Sequence, residues 1–131
     1  MPMPKRSKTS DVDHASTLLS AADLLRRWQA GSDATLWRAE KDGLLIPVRE
    51  GRRRGYSWET IWAFEGGQPP RVMEAAYRKR LLTPEQAAMR VPYRPSTLIT
   101  KAREGTLPCR RIGTRVRFVA DEIDRWLCSW L

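Results

Sequence analysis

Between Arg94 and Arg117 the chain concentrates side chains that bind anions. Ser96, Thr97 and Thr100 place short hydroxyls near the start of a segment in which Leu98, Ile99 and Ala102 are spaced for one side of a helix. Arg94, Lys101 and Arg103 add cations to that segment, and Arg110, Arg111, Thr114, Arg115 and Arg117 follow closely. Hydroxyls and guanidiniums in this arrangement donate to phosphate oxygens and to base edges, arginine with a planar fork. The bland alternative is a solvated basic face, but hydrophilicity alone does not require one sign of charge.

Those residues need a helix and a hairpin to hold them. Pro95 suits the first helical position, where its missing N–H had no partner to lose, and Gly105 stops the helix at about Glu104. Leu107 to Ile112 and Arg115 to Phe118 are predicted as short strands around Gly113-Thr114, with Val116 and Phe118 on one face and Arg115 and Arg117 on the other. The apolar face should pack inward and the guanidinium face should stay open, as the wing of a winged helix-turn-helix. Upstream, Thr83 caps a helix that Pro84 begins, and Gln86 completes a capping box.

The same order is predicted earlier in the chain. Ser20 opens a helix with Asp23 three residues on and Ala21, Leu24 and Leu25 on its inner face. A turn through Gln29-Ala30-Gly31 leads to Ser32 as N-cap, a second helix over Asp33 to Asp42, and Gly43 as its stop. Strands over Leu44 to Val48 and Gly55 to Trp58 and a closing helix over Trp58 to Glu65 complete the set. At a shift of 62 residues Thr35-Leu36 falls on Thr97-Leu98, Gly43 on Gly105, Gly51 on Gly113, Tyr56 on Phe118, Ile61 on Ile123 and Phe64 on Trp126. Leu18-Leu19-Ser20 falls on Leu81-Leu82-Thr83 at a shift of 63. Coincident helix stops, wing tips and closing aromatics predict a tandem repeat. The expected fold is mainly α with small β-hairpin wings, as two tandem winged helix-turn-helix domains over 18–65 and 81–131. A linker over 66–80 separates them, and a disordered basic tail, 1–17, precedes them. Gly66-Gly67-Gln68-Pro69-Pro70 marks the boundary. Arg71 to Arg80 is expected as a basic helix with Val72, Ala75 and Ala76 on one side, bridging the domains or packing on one of them. Lys5, Arg6 and Lys8 of the tail either touch phosphate or are simply solvated.

The second copy carries a specific resemblance. Leu-Leu-Thr-Pro-Glu-Gln-Ala-Ala from Leu81, the Ser96-Thr97-Leu98 helix start, Arg-Glu-Gly-Thr-Leu-Pro from Arg103, Arg110-Arg111-Ile112-Gly113 and Asp-Glu-Ile-Asp-Arg-Trp-Leu from Asp121 resemble the excisionase and MerR-like winged helix-turn-helix family. The resemblance runs nearly end to end over Leu81 to Leu127 and more weakly over Leu18 to Glu65. It implies a second helix in the major groove of double-stranded DNA and a wing on the backbone or minor groove. It further implies a recombination directionality factor or transcriptional regulator of a mobile element, with an integrase or RNA polymerase as candidate partners and self-association along DNA. Arg94 stands where the family often has a small cap residue, and Pro92 where it often has glycine.

Composition narrows the classes. The chain has 131 residues and a net charge of +9, an excess that usually serves a polyanion. Arg71 to Arg117 holds twelve lysines and arginines against three glutamates, whereas Leu18 to Glu65 holds eight basic and seven acidic residues. DNA affinity is therefore expected chiefly from the second copy. Arg38, Lys41, Arg52, Arg53 and Arg54 are the weaker candidates in the first. Trp37 and Trp62 are candidates for a protein interface there, and Trp28, Trp58 and Phe64 either fill the core or widen that surface. The second class of function is thus an adaptor or antiactivator that binds another regulator through the aromatic first copy. Met73 and Met89 are expected in the core. Trp126, Trp130 and Leu131 extend the last helix as a packed face or a small association surface.

No triad, carboxylate pair, phosphate loop or metal-ligand cluster is evident, so a non-enzyme without metal or cofactor is expected. Cys109 and Cys128 are too few for a disulfide framework and are expected as buried or half-buried thiols. No apolar run nears the roughly 20 residues of a membrane span. A cytoplasmic, nucleoid-associated protein of bacterial or phage type is the expectation.

Overall fold

The computed structural model describes residues 18–29 and 32–129; the tail, Ala30-Gly31, Trp130 and Leu131 lie outside them. The first half begins with β1, Leu18–Leu19, and α1, Ala21–Trp28, which Ser20 caps by accepting from the Asp23 amide. Then come α2, Asp33–Lys41, the hairpin strands β2, Val48–Glu50, and β3, Arg53–Ser57, and the helix α3, Trp58–Glu65. β3 pairs antiparallel with both neighbours, Leu19 opposite Tyr56 and Val48 opposite Gly55.

The second half has α5, Pro84–Ala88, α6, Pro95–Glu104, the strands β4, Arg110–Ile112, and β5, Arg115–Arg117, and the helix α7, Ala120–Cys128; the short α4, Glu74–Tyr77, lies between the halves. A single bridge from Leu82 to Phe118 stands where the first half has β1 against β3. The reciprocal capping box of Thr83 and Gln86 is present, and Pro95 and Gly105 bound α6 as the sequence predicts. Both hairpins turn at glycines with positive φ, Gly51 at 63° and Gly113 at 64°, a region that glycine enters without steric cost.

Each half has a core. Leu98, Ala102, Leu107, Val116, Phe118 and Ile123 form the second. The first gathers Leu24, Trp28, Leu36, Tyr56, Ile61 and Trp62 and runs on without a break into Met73 and Tyr77 of the linker and Leu81, Ile112 and Val119 of the second half. The linker is not the predicted single helix. A 3₁₀ turn, Arg71–Met73, leads into α4, and the change of helical phase turns Met73, Ala76 and Tyr77 inward while Val72 is 90% exposed. Met89 is also not a core residue: α5 ends at Ala88, and Met89 is 85% exposed. Of the thiols, Cys109 is half-buried and Cys128 exposed.

Between the halves lies a polar joint. Glu65, at the end of α3, is 1% exposed. It accepts from Arg27 Nε at 2.9 Å and Nη2 at 2.7 Å, from Trp28 Nε1 at 2.6 Å, and from Arg110 Nε of the second hairpin at 3.2 Å. Arg110 Nη2 also donates to the carbonyls of Trp62 and Gly67. Arg117 Nε and Nη2 donate to the Trp28 and Gln29 carbonyls at 2.8 and 3.1 Å. Burial, and then the neighbouring Arg115 charge, lowers the pKa of Arg117. Gln29 holds a left-handed backbone at the end of α1, and its amide bonds to Gln86 and to the Leu81 carbonyl.

Candidate nucleic-acid interface

α6 and the second hairpin are the elements that present exposed cations together. Leu98 and Ala102 fix α6 on the second core, which leaves Ser96, Thr100 and Arg103 exposed at i, i+4 and i+7. Thr100 donates its hydroxyl to the Ser96 carbonyl at 3.1 Å, so towards a ligand it offers acceptor oxygen. Arg103 converges with Thr114 and Arg115 of the wing tip on one open cleft, which Ile99 floors and Glu85 borders. Thr97 is half-buried, and Arg111 is exposed on β4, the hairpin strand that packs against α3.

The start of α6 adds to this surface. Arg94 occupies the N-cap without a side-chain hydrogen bond to the helix, so no side chain of the cap accepts from the first amides and the positive end of the helix dipole stays open. Lys101 leans over Tyr93, its ammonium 5.2 Å from the ring centroid. Arg94, Arg103, Arg111 and Arg115 make no ion pair among the described residues. Of these four, Arg103 and Arg115 share one cleft, whereas Arg111 lines another with Gly43, Leu44 and Ile46 of the first half.

A family model described as a helix-turn-helix domain matches residues 81–130. Over these residues the chain is similar to a helix-turn-helix domain. No curated protein and no solved structure matches the chain. In such a domain the second helix is the one that enters the major groove, and here that helix is α6.

Two residues predicted on the open face of the helix-turn-helix wing are not there. Arg110 and Arg117 are 6% and 8% exposed, because α3 and the end of α1 cover the side of the hairpin to which they point. The predicted alternation along the strands is present; a neighbour occupies the space assumed to be solvent. Trp62 likewise presents no interface: it is 4% exposed, stacked 5.4 Å from Trp58, with its Nε1 towards the Tyr77 carbonyl. Trp28 and Phe64 pair 5.3 Å apart inside the first half.

The first-half candidates are more scattered. Arg38 and Arg52 are exposed, and Arg53 lies on β3. Lys41 sits 4.8 Å from the ring centroid of Trp37, which is 62% exposed. Arg54 is ion-paired with Glu40, which also accepts from the Tyr56 hydroxyl. Glu65 is the residue that sequence reasoning passes over; its signal is a carboxylate directly after the apolar run Ile61-Trp62-Ala63-Phe64. Among the described residues no helix is long and apolar enough to cross a membrane.

Proposed function

We propose that the chain is a sequence-specific double-stranded DNA-binding protein built from two copies of one winged helix-turn-helix unit, with the second copy as the principal reader. The observation that carries this is the cleft where Arg103 meets Thr114 and Arg115, the two arginines making no ion pair among the described residues. In that geometry α6 lies in the major groove, Ser96, Thr100 and Arg103 face base edges, and Arg94, Arg111 and Arg115 grip the flanking phosphates. The first copy adds a weaker second half-site through Arg38, Lys41 and Arg52. Bound at adjacent half-sites, the protein acts as an excisionase-like directionality factor that shapes a recombination site, or at a promoter as a regulator.

Selection of random duplexes by the full chain tests this, with affinity followed against salt. The expected result is an enriched two-part sequence. If no sequence is enriched and binding collapses with salt as bare phosphate contact would, the proposal fails.

A second reading has its own observation. Trp37, Leu44 and Ile46 are 62%, 59% and 65% exposed, and Leu44 and Ile46 line a cleft with Ala63, Phe64 and, from the second hairpin, Arg111. An adaptor would bind another regulator there. Under that reading Trp37→Ala abolishes function and Arg103→Ala barely alters it.

A further inference from the structure

The joint at Glu65 is an odd way to hold two small domains together. Apolar contact is non-directional, and Leu81, Ile112 and Val119 already extend the first core into the second half. Buried ion pairs add little net stability over apolar residues of the same volume, and their best-attested use is to fix a register. Planar guanidiniums with several acceptors each do this well, because every bond constrains the plane of the fork. Arg110 spans Glu65, the Trp62 carbonyl and the Gly67 carbonyl. Arg117 spans two successive carbonyls, of Trp28 and Gln29, at the end of α1.

The joint residues also break the correspondence between the halves. At the same shift of 62 residues, Glu65 falls on Leu127, Val48 on Arg110 and Gly55 on Arg117. Gly55 leaves little room for a side chain: a Cβ there would lie 3.0 Å from Leu18 Cβ and 3.3 Å from the Leu19 carbonyl oxygen, because β1 lies along β3. The second half has only one bridge at that edge and an arginine that reaches back to α1. The two halves thus agree in frame and differ where they meet.

We propose that Glu65, Arg27, Arg110 and Arg117 are positioning residues that set the spacing of DNA half-sites the protein accepts. This rests on the two-copy reading above. One base pair added between half-sites moves the second by about 3.4 Å and rotates it by roughly 35°. Hydrogen bonds of this kind weaken steeply beyond about 3.2 Å, so a locked joint cannot follow and the second contact is lost. A loosened joint can follow, at the cost of a lower effective concentration at the best spacing.

The test uses the full chain and its selected site with spacers changed by −1, +1 and +2 base pairs, comparing the native protein with the Arg110→Ala/Arg117→Ala variant. That variant leaves Glu65 with Arg27 and Trp28 as donors; because Arg117 also lines the cleft of Arg103, Thr114 and Arg115, each protein's affinities are compared across spacers with its own best site rather than between the two proteins. The native protein is expected to lose about tenfold or more in affinity per altered base pair, and the variant under about threefold. Should the variant not fold, Arg117→Lys serves instead, since an ammonium cannot match the fork that spans both carbonyls. Spin labels at Glu59→Cys and Cys128, in a Cys109→Ser background, provide a readout without DNA: one narrow distance in the native protein, a broad distribution in the variant. Protection of both half-sites with a flat native spacing profile, or with the variant as steep as the native protein, overturns the proposal and leaves the two-copy reading standing. Protection of a single half-site overturns that reading and the proposal with it, and an unchanged narrow distance in the variant overturns the proposal alone.

Discussion

The two halves run through a similar order of helices and hairpin and differ in what they place on it. In the first, Ser32 caps α2 by accepting from the Ala34 amide, with Thr35 returning the bond; 62 residues later Arg94 stands in the same place and leaves the helix end open. Glu40 of the first half neutralises Arg54 and holds Tyr56, where the second half has Ala102 and Phe118 packed together in an apolar core. Trp37 stands exposed where Ile99 is half-buried. A similar order of elements therefore does not imply a similar role. In the second half Arg94, Arg103, Arg111 and Arg115 make no ion pair among the described residues, whereas in the first Glu40 pairs with Arg54 and Lys41 lies over Trp37.

The sharpest way to break the comparison is at the joint. Glu65→Ala leaves Arg27 and Arg110 buried without their carboxylate and should destabilise the full chain by about 3–5 kcal/mol, measured by equilibrium urea unfolding. Leu127→Ala, at the matching position of the second half, removes only half-buried apolar contact and should cost clearly less. Equal losses would mean that Glu65 is no more structural than its counterpart.

The next contrast concerns DNA. Arg103→Ala should weaken binding to the selected site by about 1–3 kcal/mol and relax preference at one base position. Lys41→Ala, its counterpart, should lower affinity by under about threefold at all sequences and reduce the salt slope by about 1. Competition binding against single-base variants of the site separates the two. If Lys41→Ala proves the costlier change, the assignment of principal reader is reversed.

Local chemistry was legible in the sequence because local chemistry decides it. Caps at Ser20 and Thr83, the proline start of α6, the glycine stops and the hairpin tips each depend on a few neighbouring residues. The first hairpin is displaced along the chain, β2 running Val48–Glu50 rather than Leu44 to Val48 and β3 Arg53–Ser57 rather than Gly55 to Trp58, and β4 begins at Arg110 rather than Leu107. What could not be read was which faces the other half would cover. Arg110 and Arg117 carry the same side chains as Arg111 and Arg115, and only the docking of α3 and the end of α1 separates a buried lock from an exposed grip. The cleft shared by Arg103, Thr114 and Arg115 was legible for the opposite reason, since its parts belong to one small domain.

The mildest contrast lies inside the two cores, at Tyr56 and Phe118, both fully buried. Burial, then the hydrogen bond to Glu40, pushes the Tyr56 hydroxyl up to about 12. The unfolded chain would lose that proton near pH 10, so between about pH 10 and 12 the folded state binds more protons than the unfolded one. Stability must then fall as pH rises through that window. Tyr56→Phe removes this contribution and should flatten the alkaline limb of urea unfolding, leaving only what remains from Tyr77, whose hydroxyl is raised in the same sense by burial and by Glu122. At neutral pH the single change strips Glu40 of one donor but leaves it Arg54, so a loss of about 1 kcal/mol is expected. Adding Glu40→Ala recreates the apolar pair of the second half and should recover part of that loss, because replacing both partners of a buried bond is nearly neutral where removing one is not. If the double change is worse than either single one, the first half depends on its polar pair in a way that the second, built on the same frame, has dispensed with.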